Sequence, residues 1–181
     1  MKEIKEIEVK ARVNDPKALL KNLTKLGCKF SKPITQNDRV YNKDGKTRTG
    51  SRTGSTTLRL RQQNGKVLFT IKQTLSDELD CLEKEVLVSD LNIMEDALKM
   101  MGFLEVVRVN KVRQYAKFKD FTICMDQVEG LGYFIEVEKM SDENSQKIQN
   151  ELMGFLASLG IKKEDRITKG YDTLVLESNN G

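Results

Sequence analysis

The sequence has 181 residues with 31 basic and 27 acidic side chains, a formal net charge of +4 and no histidine. That length suits one domain with a proper core, and mild basicity without Trp argues against a nucleic-acid-binding surface. The missing histidine excludes Ser-His triads, a histidine general base and His-ligated zinc, so any metal is held by oxygen, which favours Mg2+, Mn2+ or Ca2+.

Residues 3–13 read as a first strand, with Ile4, Ile7, Val9 and Val13 around the charged triplet Glu6, Glu8 and Lys10. Strand side chains alternate faces, so these three project the same way. Neighbouring carboxylates repel unless something positive lies between them. One reading is a solvated strand face; the other is a divalent metal on Glu6 and Glu8, with Lys10 reaching an anion beyond it. Asn14-Asp15-Pro16 then supplies a cap and a proline at the first helical position. That helix runs to Leu26 on a stripe of Ala18, Leu19, Leu23 and Leu26, and Gly27 ends it. Residues 29–42 read as a ragged second strand. Residues 43–56 carry Lys43, Lys46, Arg48 and Arg52 among Gly, Ser and Thr, as expected of either a mobile linker or a lid over a polyanion.

Residues 57–62 and 66–73 form a predicted hairpin across Asn64-Gly65, a favoured two-residue turn. Arg59 and Arg61 oppose Leu58 and Leu60 on its first strand, and Lys72 falls near the end of its second. Residues 81–88 repeat the alternation with Glu83 and Glu85. Ser89-Asp90 caps a second helix that ends at Gly102; its Met-rich stripe reads as ordinary core. A long strand follows over 103–117, with Lys111, Arg113 and Tyr115 on one face. Strands over 121–128 and 133–139 come next, separated by Gly130-Leu131-Gly132. Ser141-Asp142 opens a third helix, with Ile148, Leu152, Phe155, Leu156 and Leu159 as its buried stripe and Gly160 as its end. The tail from Arg166 to Glu177 is short and partly apolar, with Tyr171, Leu174, Val175 and Leu176 available to dock.

The count is about eight strands and three helices, mostly antiparallel, undivided by any repeat or linker. Cys28, Cys81 and Cys124 are far apart and odd in number, so neither a disulfide framework nor a zinc site is indicated. No apolar leader or membrane-length stretch is present, and a cytoplasmic location is expected.

The polar strand face is almost wholly ionic: Glu6, Glu8, Lys10, Arg59, Arg61, Lys72, Glu83, Glu85, Lys111, Arg113, Asp126, Glu136 and Glu138. It is either a solvated exterior or the interior of a closed barrel whose helices cover the apolar side. Burying so many charges is too costly unless water, metal and an anion fill the space, so such an interior is a site. Basic groups suit a chain of phosphates, and clustered carboxylates suit the metals that bridge to it. There is no Walker A loop and no G-x-G-x-x-G.

With these residues in hand, the chain resembles the CYTH superfamily of triphosphate tunnel metalloenzymes. The E-x-E-x-K signature matches Glu6, Glu8 and Lys10; the paired basic strand matches Arg59 and Arg61; the next strand's lysine matches Lys72. The second E-x-E matches Glu83 and Glu85, K-x-R matches Lys111 and Arg113, and the late acidic set matches Asp126, Glu136 and Glu138. The resemblance implies an α+β fold, an eight-stranded, mostly antiparallel barrel forming a tunnel with helices outside, spanning residues 1–181 as one domain. It also implies metal-dependent action on triphosphates, with Mg2+ or Mn2+ as cofactor. By carry-over, Glu6, Glu8, Asp126, Glu136 and Glu138 are metal ligands or their supports. Lys10, Arg59, Arg61, Lys72, Lys111 and Arg113 bind triphosphate. Glu83 and Glu85 orient those basic groups or help the attacking group, and Lys111 also serves the chemistry. Lys169 and Arg166 close one tunnel end, and Arg108 stays outside unless a bulge intervenes.

The runs Glu6-Ile7-Glu8-Val9-Lys10-Ala11 and Val128 to Glu138 are most similar to the class IV adenylyl cyclase branch of the CyaB type. The first expectation is therefore conversion of ATP to cyclic AMP and pyrophosphate. Inorganic or thiamine triphosphate hydrolysis is the second, and a non-catalytic nucleotide or polyphosphate binder the third. The expected partner is a nucleotide or other triphosphate substrate, with neither nucleic acid nor membrane, and a homodimer is left open.

Overall fold

The computed structural model describes residues 5–43, 54–75 and 79–179, save the side chain of Asp80. The expected lysine and arginines of the lid, Lys46, Arg48 and Arg52, lie outside the described residues. The strands are β1 (Lys5–Arg12), β2 (Ile34–Lys43), β3 (Thr56–Gln63), β4 (Lys66–Thr74), β5 (Asp80–Val88), β6 (Phe103–Phe118), β7 (Phe121–Val128), β8 (Gly132–Ser141) and β9 (Arg166–Ile167). The helices are α1 (Pro16–Lys25), α2 (Leu91–Met100), α3 (Ser145–Ser158) and α4 (Tyr171–Asn179).

Strand order is β5-β4-β3-β2-β6-β7-β8-β1-β9, and β5 also pairs with β1. The first eight strands therefore close into an antiparallel barrel, as expected. Closure removes the sheet edge and gives every strand an inner and an outer face. The β1–β5 seam is the short one, with only Glu6↔Cys81 and Ile7↔Asp80 in register. Beyond it the free side of β1 pairs instead with β9, at Lys10↔Ile167 and Ala11↔Arg166.

Local chemistry sets the element ends. Asp15 accepts the Ala18 N–H at 2.9 Å and caps α1. Asp90 accepts the Asn92 and Ile93 N–H groups at 2.8 and 3.0 Å and caps α2. In the β3–β4 hairpin Asn64 and Gly65 both adopt positive φ, 49° and 71°, which matches the twist of the flanking strands.

Three boundaries differ from expectation. β2 begins at Ile34, because residues before it include Pro33, which has no N–H for the ladder, and Ser31 instead bonds the Tyr115 carbonyl at 2.8 Å. Ser141 does not open a helix: it ends β8, in register with Lys5, and Asn144 caps α3 by accepting the Lys147 N–H at 3.1 Å. The tail forms β9 and a fourth helix. Its apolar residues look too few for a free-standing helix, but tertiary docking supplies what propensity lacks.

Apolar side chains pack outside the barrel. Ile7, Val9 and Ala11 of β1 and Ile123, Ile135 and Val137 of β7 and β8 meet Leu19 and Leu23 of α1 and Ile148, Leu152 and Leu156 of α3. Leu98 of α2 lies on Tyr41, Leu58 and Leu60. The third cluster is different: Tyr171, Leu174 and Val175 of α4 pack on Val109, Val128 and Phe134, which share the inward parity of Lys111, Asp126 and Glu136, and Val109 and Tyr171 line the cavity. With the greasy faces turned outward under helices, the ionic faces turn inward.

Candidate active site

The barrel encloses a cavity of about 290 Å³. Glu6, Glu8 and Lys10 of β1, Arg59 and Arg61 of β3, Lys72 of β4, and Glu83 and Glu85 of β5 line it. So do Lys111 and Arg113 of β6 and Glu136 and Glu138 of β8. Six strands thus deliver to one space all the charged residues singled out by alternation except Asp126 of β7. Arg108 stays outside and pairs with Glu105 at 2.7 Å.

Acidic groups concentrate on β1 and β8. Glu8 lies directly across from Glu138, and Lys10 across from Glu136. One carboxylate oxygen from each of Glu6, Glu8 and Glu138 lies within 4.8 Å of the others. Burial, then mutual repulsion with neighbouring glutamates, pushes Glu6 and Glu8 up to about 7. Glu138 also rises to about 7 through burial, although the Arg113 guanidinium opposes the shift. Such a group of hard oxygens, close enough to share one ion bound at about 2.0–2.6 Å, fits a divalent cation. Glu136 and Glu138 also approach Cys124. Burial raises that thiol well above its ordinary range, so it is not a ready thiolate ligand.

The remaining carboxylates orient cations. Arg113 donates to Asp126 at 2.6 Å and also to Glu136. Asp126, expected among the metal ligands or their supports, lies apart from the Glu6–Glu8–Glu138 group; it holds Arg113 and accepts the Tyr171 hydroxyl at 2.8 Å. Lys10 reaches Glu136 at 3.1 Å, Glu8 at 3.7 Å and the Lys169 carbonyl at 3.2 Å. Lys72 pairs with Glu83. The Lys169 side chain turns away to Glu177 at 2.6 Å, so this residue meets the tunnel through its backbone. Arg166 donates to Gln149 at 3.3 Å.

Two cations are less committed. Among the described residues no carboxylate pairs with the Lys111 ammonium, which lies 4.7 Å over the Tyr171 ring. Burial, then the charges of Arg113 and Arg61, lowers Lys111 to about 7. Arg59 reaches Glu85 only at 3.6 Å and donates to Thr70 at 3.1 Å; its buried Nε has no partner. A buried donor without an acceptor is costly, and an anion would satisfy it.

Asp38 is not singled out as a site residue by the sequence, and Tyr171 is expected there only to dock. Asp38 grips Arg61 through two hydrogen bonds of 2.7 Å. Against the cost of burial, that guanidinium holds Asp38 well below the usual carboxylate range. Its parity with Gln36 was visible in the sequence, but a single aspartate in a ragged strand gave no spacing signal. Tyr171 sits on the undetected α4, with its ring 4.1 Å from the Lys10 ammonium and edge-on to Phe134. No described helix is long and apolar enough to cross a membrane.

The CYTH domain family profile matches residues 5–171. A Methanocaldococcus jannaschii protein bearing the name "putative adenylate cyclase" is 36% identical over 170 residues, covering 92% of this chain and 95% of its own. The structure of the PH1819 protein of Pyrococcus horikoshii superposes with a TM-score of 0.78 at 30% identity, over 95% of this chain and 98% of that one. A Hippeastrum structure, described as a putative adenylyl cyclase with a dominant triphosphatase activity, superposes with a TM-score of 0.59 at 18% identity, over 91% of each chain. A closed tunnel, its ionic lining and a match over nearly the whole length agree: the chain belongs to the CYTH domain family.

Proposed function

We propose that this protein is a metal-dependent enzyme acting on a triphosphate held in the tunnel, and that its reaction converts ATP to cyclic AMP and pyrophosphate. The observation that carries this reading is the convergence of an oxygen-donor group, Glu6, Glu8 and Glu138, with a basic wall inside one enclosed cavity. When bound there, Mg2+ or Mn2+ offsets the negative charge of phosphate oxygens. Arg59, Arg61, Arg113, Lys10 and Lys72 hold the phosphate chain. Asp38, Asp126, Glu83 and Glu85 keep the basic groups in place, since phosphoryl chemistry is mostly positioning and charge stabilisation. Lys111, lowered to about 7 by burial and its cationic neighbours, regains its charge beside the phosphate chain and adds to the stabilisation of the charge that develops during reaction.

Hydrolysis of the terminal phosphate is the second reading, favoured by the triphosphatase description of the Hippeastrum relative. Both reactions need the same cations and metal. Incubation with ATP and with inorganic triphosphate, each with Mg2+ or Mn2+, separates them. Cyclic AMP with pyrophosphate supports the first reading, orthophosphate alone replaces it with the second, and binding without turnover overturns both. Glu8→Gln is expected to lower turnover more than triphosphate affinity, and unchanged turnover would remove Glu8 from the metal site.

A further inference from the structure

Charge is unevenly spread over the exterior. Between Asp15 and Asp38 the sequence holds no acidic residue and five lysines, Lys17, Lys21, Lys25, Lys29 and Lys32. That stretch carries a net charge of +5 and the whole chain +4, so everything outside it comes to −1. The modest total conceals the asymmetry. α1 fills the first part of the stretch and buries Leu19 and Leu23 against the barrel. Lys17, Lys21 and Lys25 follow one another along its solvent side, about 6 Å apart at the rise of a helix. Lys29 and Lys32 are exposed as well.

The basic surface continues past the helix. Ser31 donates its N–H to the Tyr115 carbonyl at 2.8 Å, and the Gln114 amide donates to the Ser31 carbonyl at 3.0 Å. The connector carrying Lys29 and Lys32 therefore runs beside the end of β6. Lys117 and Lys119 are exposed there, the first donating to Thr122 at 2.6 Å and the second 5.5 Å over the Phe118 ring. Among the described residues, none of these seven lysines forms an ion pair with a carboxylate. On other faces, exposed lysines do: Lys99 meets Glu95 at 3.1 Å and Lys169 meets Glu177 at 2.6 Å. The carboxylates bordering the surface are engaged elsewhere. Asp15 caps α1, Asp165 accepts from Asn14 at 3.3 Å and from the Lys162 N–H at 3.1 Å, and Asp120 holds Lys139 at 2.8 Å.

Like charges gathered on one face repel, and an anionic partner relieves them. Three features select its chemistry. All the groups are lysines, point charges on flexible stems, whereas nucleic-acid recognition favours the planar fork of arginine. No ring stands clear among them to stack on a base: Phe30 packs against the outer core and Phe118 stacks on Phe155. Leu20 and Leu26, next to Lys21 and Lys25 in the chain, are 36% and 47% exposed, as suits the boundary between lipid headgroups and hydrocarbon. We propose that α1, its connector to β2 and the end of β6 form a docking surface for an anionic phospholipid bilayer. Clusters of this size on an amphipathic helix are what the field of such a bilayer attracts. The contact is peripheral, with the ammonium groups among lipid phosphates and no segment crossing. None of the seven lysines lines the tunnel, so the surface is separate from the triphosphate site and independent of its chemistry.

The test is co-sedimentation of the folded protein with vesicles of phosphatidylcholine alone and with phosphatidylserine added. Each is run at about 0.1 M and about 1 M salt, between which the screening length falls from about 10 to about 3 Å. The wild-type protein is expected on the anionic vesicles at the lower salt alone. Lys21→Gln with Lys25→Gln on α1, and Lys29→Gln with Lys32→Gln on the connector, are each expected to weaken that binding by about 10- to 30-fold, as loss of two charges at an anionic surface predicts. Lys21→Arg with Lys25→Arg is expected to keep it, because charge rather than geometry is read. Lys66→Gln with Lys99→Gln, on the α2 side of the barrel, is expected to leave it unchanged; an equal loss there would reduce the effect to net charge and overturn the surface. Equal binding to neutral vesicles, or none to anionic vesicles at the lower salt, would also overturn it. Tighter binding to duplex DNA or to polyglutamate under the same conditions would replace the bilayer with another polyanion.

Discussion

At the scale of single residues the tunnel is governed by which charges have partners. Arg61 and Arg113 are held by bidentate carboxylates, whereas Lys111 is buried without one among the described residues and is lowered to about 7. A lysine with a depressed pKa binds fewer protons in the folded than in the unfolded chain between about 7 and its ordinary 10.5. Its contribution to stability is therefore present above that window and is lost as pH falls through about 7. An incoming polyanion favours the charged form. Binding of inorganic triphosphate at pH 8.5 is thus expected to draw a proton from solution, and Lys111→Met to abolish that uptake. Calorimetry in buffers of different ionisation enthalpy reads this directly; buffer-independent heats in the wild-type protein would contradict it. Asp126→Asn is expected to free Arg113 to swing towards Glu138, from which it now stands 3.8 Å, and so to weaken triphosphate binding with little change in metal affinity.

Among elements, alternation and helix periodicity made most of the barrel legible. Strand parity put Glu6, Arg59, Lys111 and Glu136 on faces that do line one cavity, because a period of two leaves no other choice once the greasy face is covered. Three things were hidden. The β2–β6 ladder slips at Val106, which breaks parity by one residue without any Gly or Pro to announce it. Asp38 sits in a strand with no clean alternation. α4 is a helix of only nine residues, stabilised by Tyr171 and its apolar neighbours against β6, β7 and β8 rather than by its own propensity. α3 is the opposite case: Ile148, Leu152 and Leu156 are almost wholly buried at helical spacing. Leu152→Ala is expected to cost about 2–5 kcal/mol in denaturant unfolding. A loss below 0.5 kcal/mol would mean that α3 does not seal the outer face of β1 and β8, on the scale expected for surface substitutions of about ±0.5 kcal/mol.

For the molecule as a whole, the fold is a sheet turned inside out: α1, α2 and α3 cover aliphatic faces on the exterior, and most of the interior lining is ionic or polar. Burial strengthens charge interactions within the interior and disfavours simultaneous ionisation of Glu6, Glu8 and Glu138. On the proposed reading, metal and polyanion offset one another's charge inside the tunnel, so their binding is expected to be coupled. The most direct measurement is a crystal structure of the protein soaked with Mn2+ and a non-hydrolysable ATP analogue. An anomalous manganese peak bounded by Glu6, Glu8 and Glu138, with phosphate density against Arg59, Arg61 and Arg113, is the predicted result. Manganese and analogue found only on the outer surface, with the tunnel holding water alone, would contradict it.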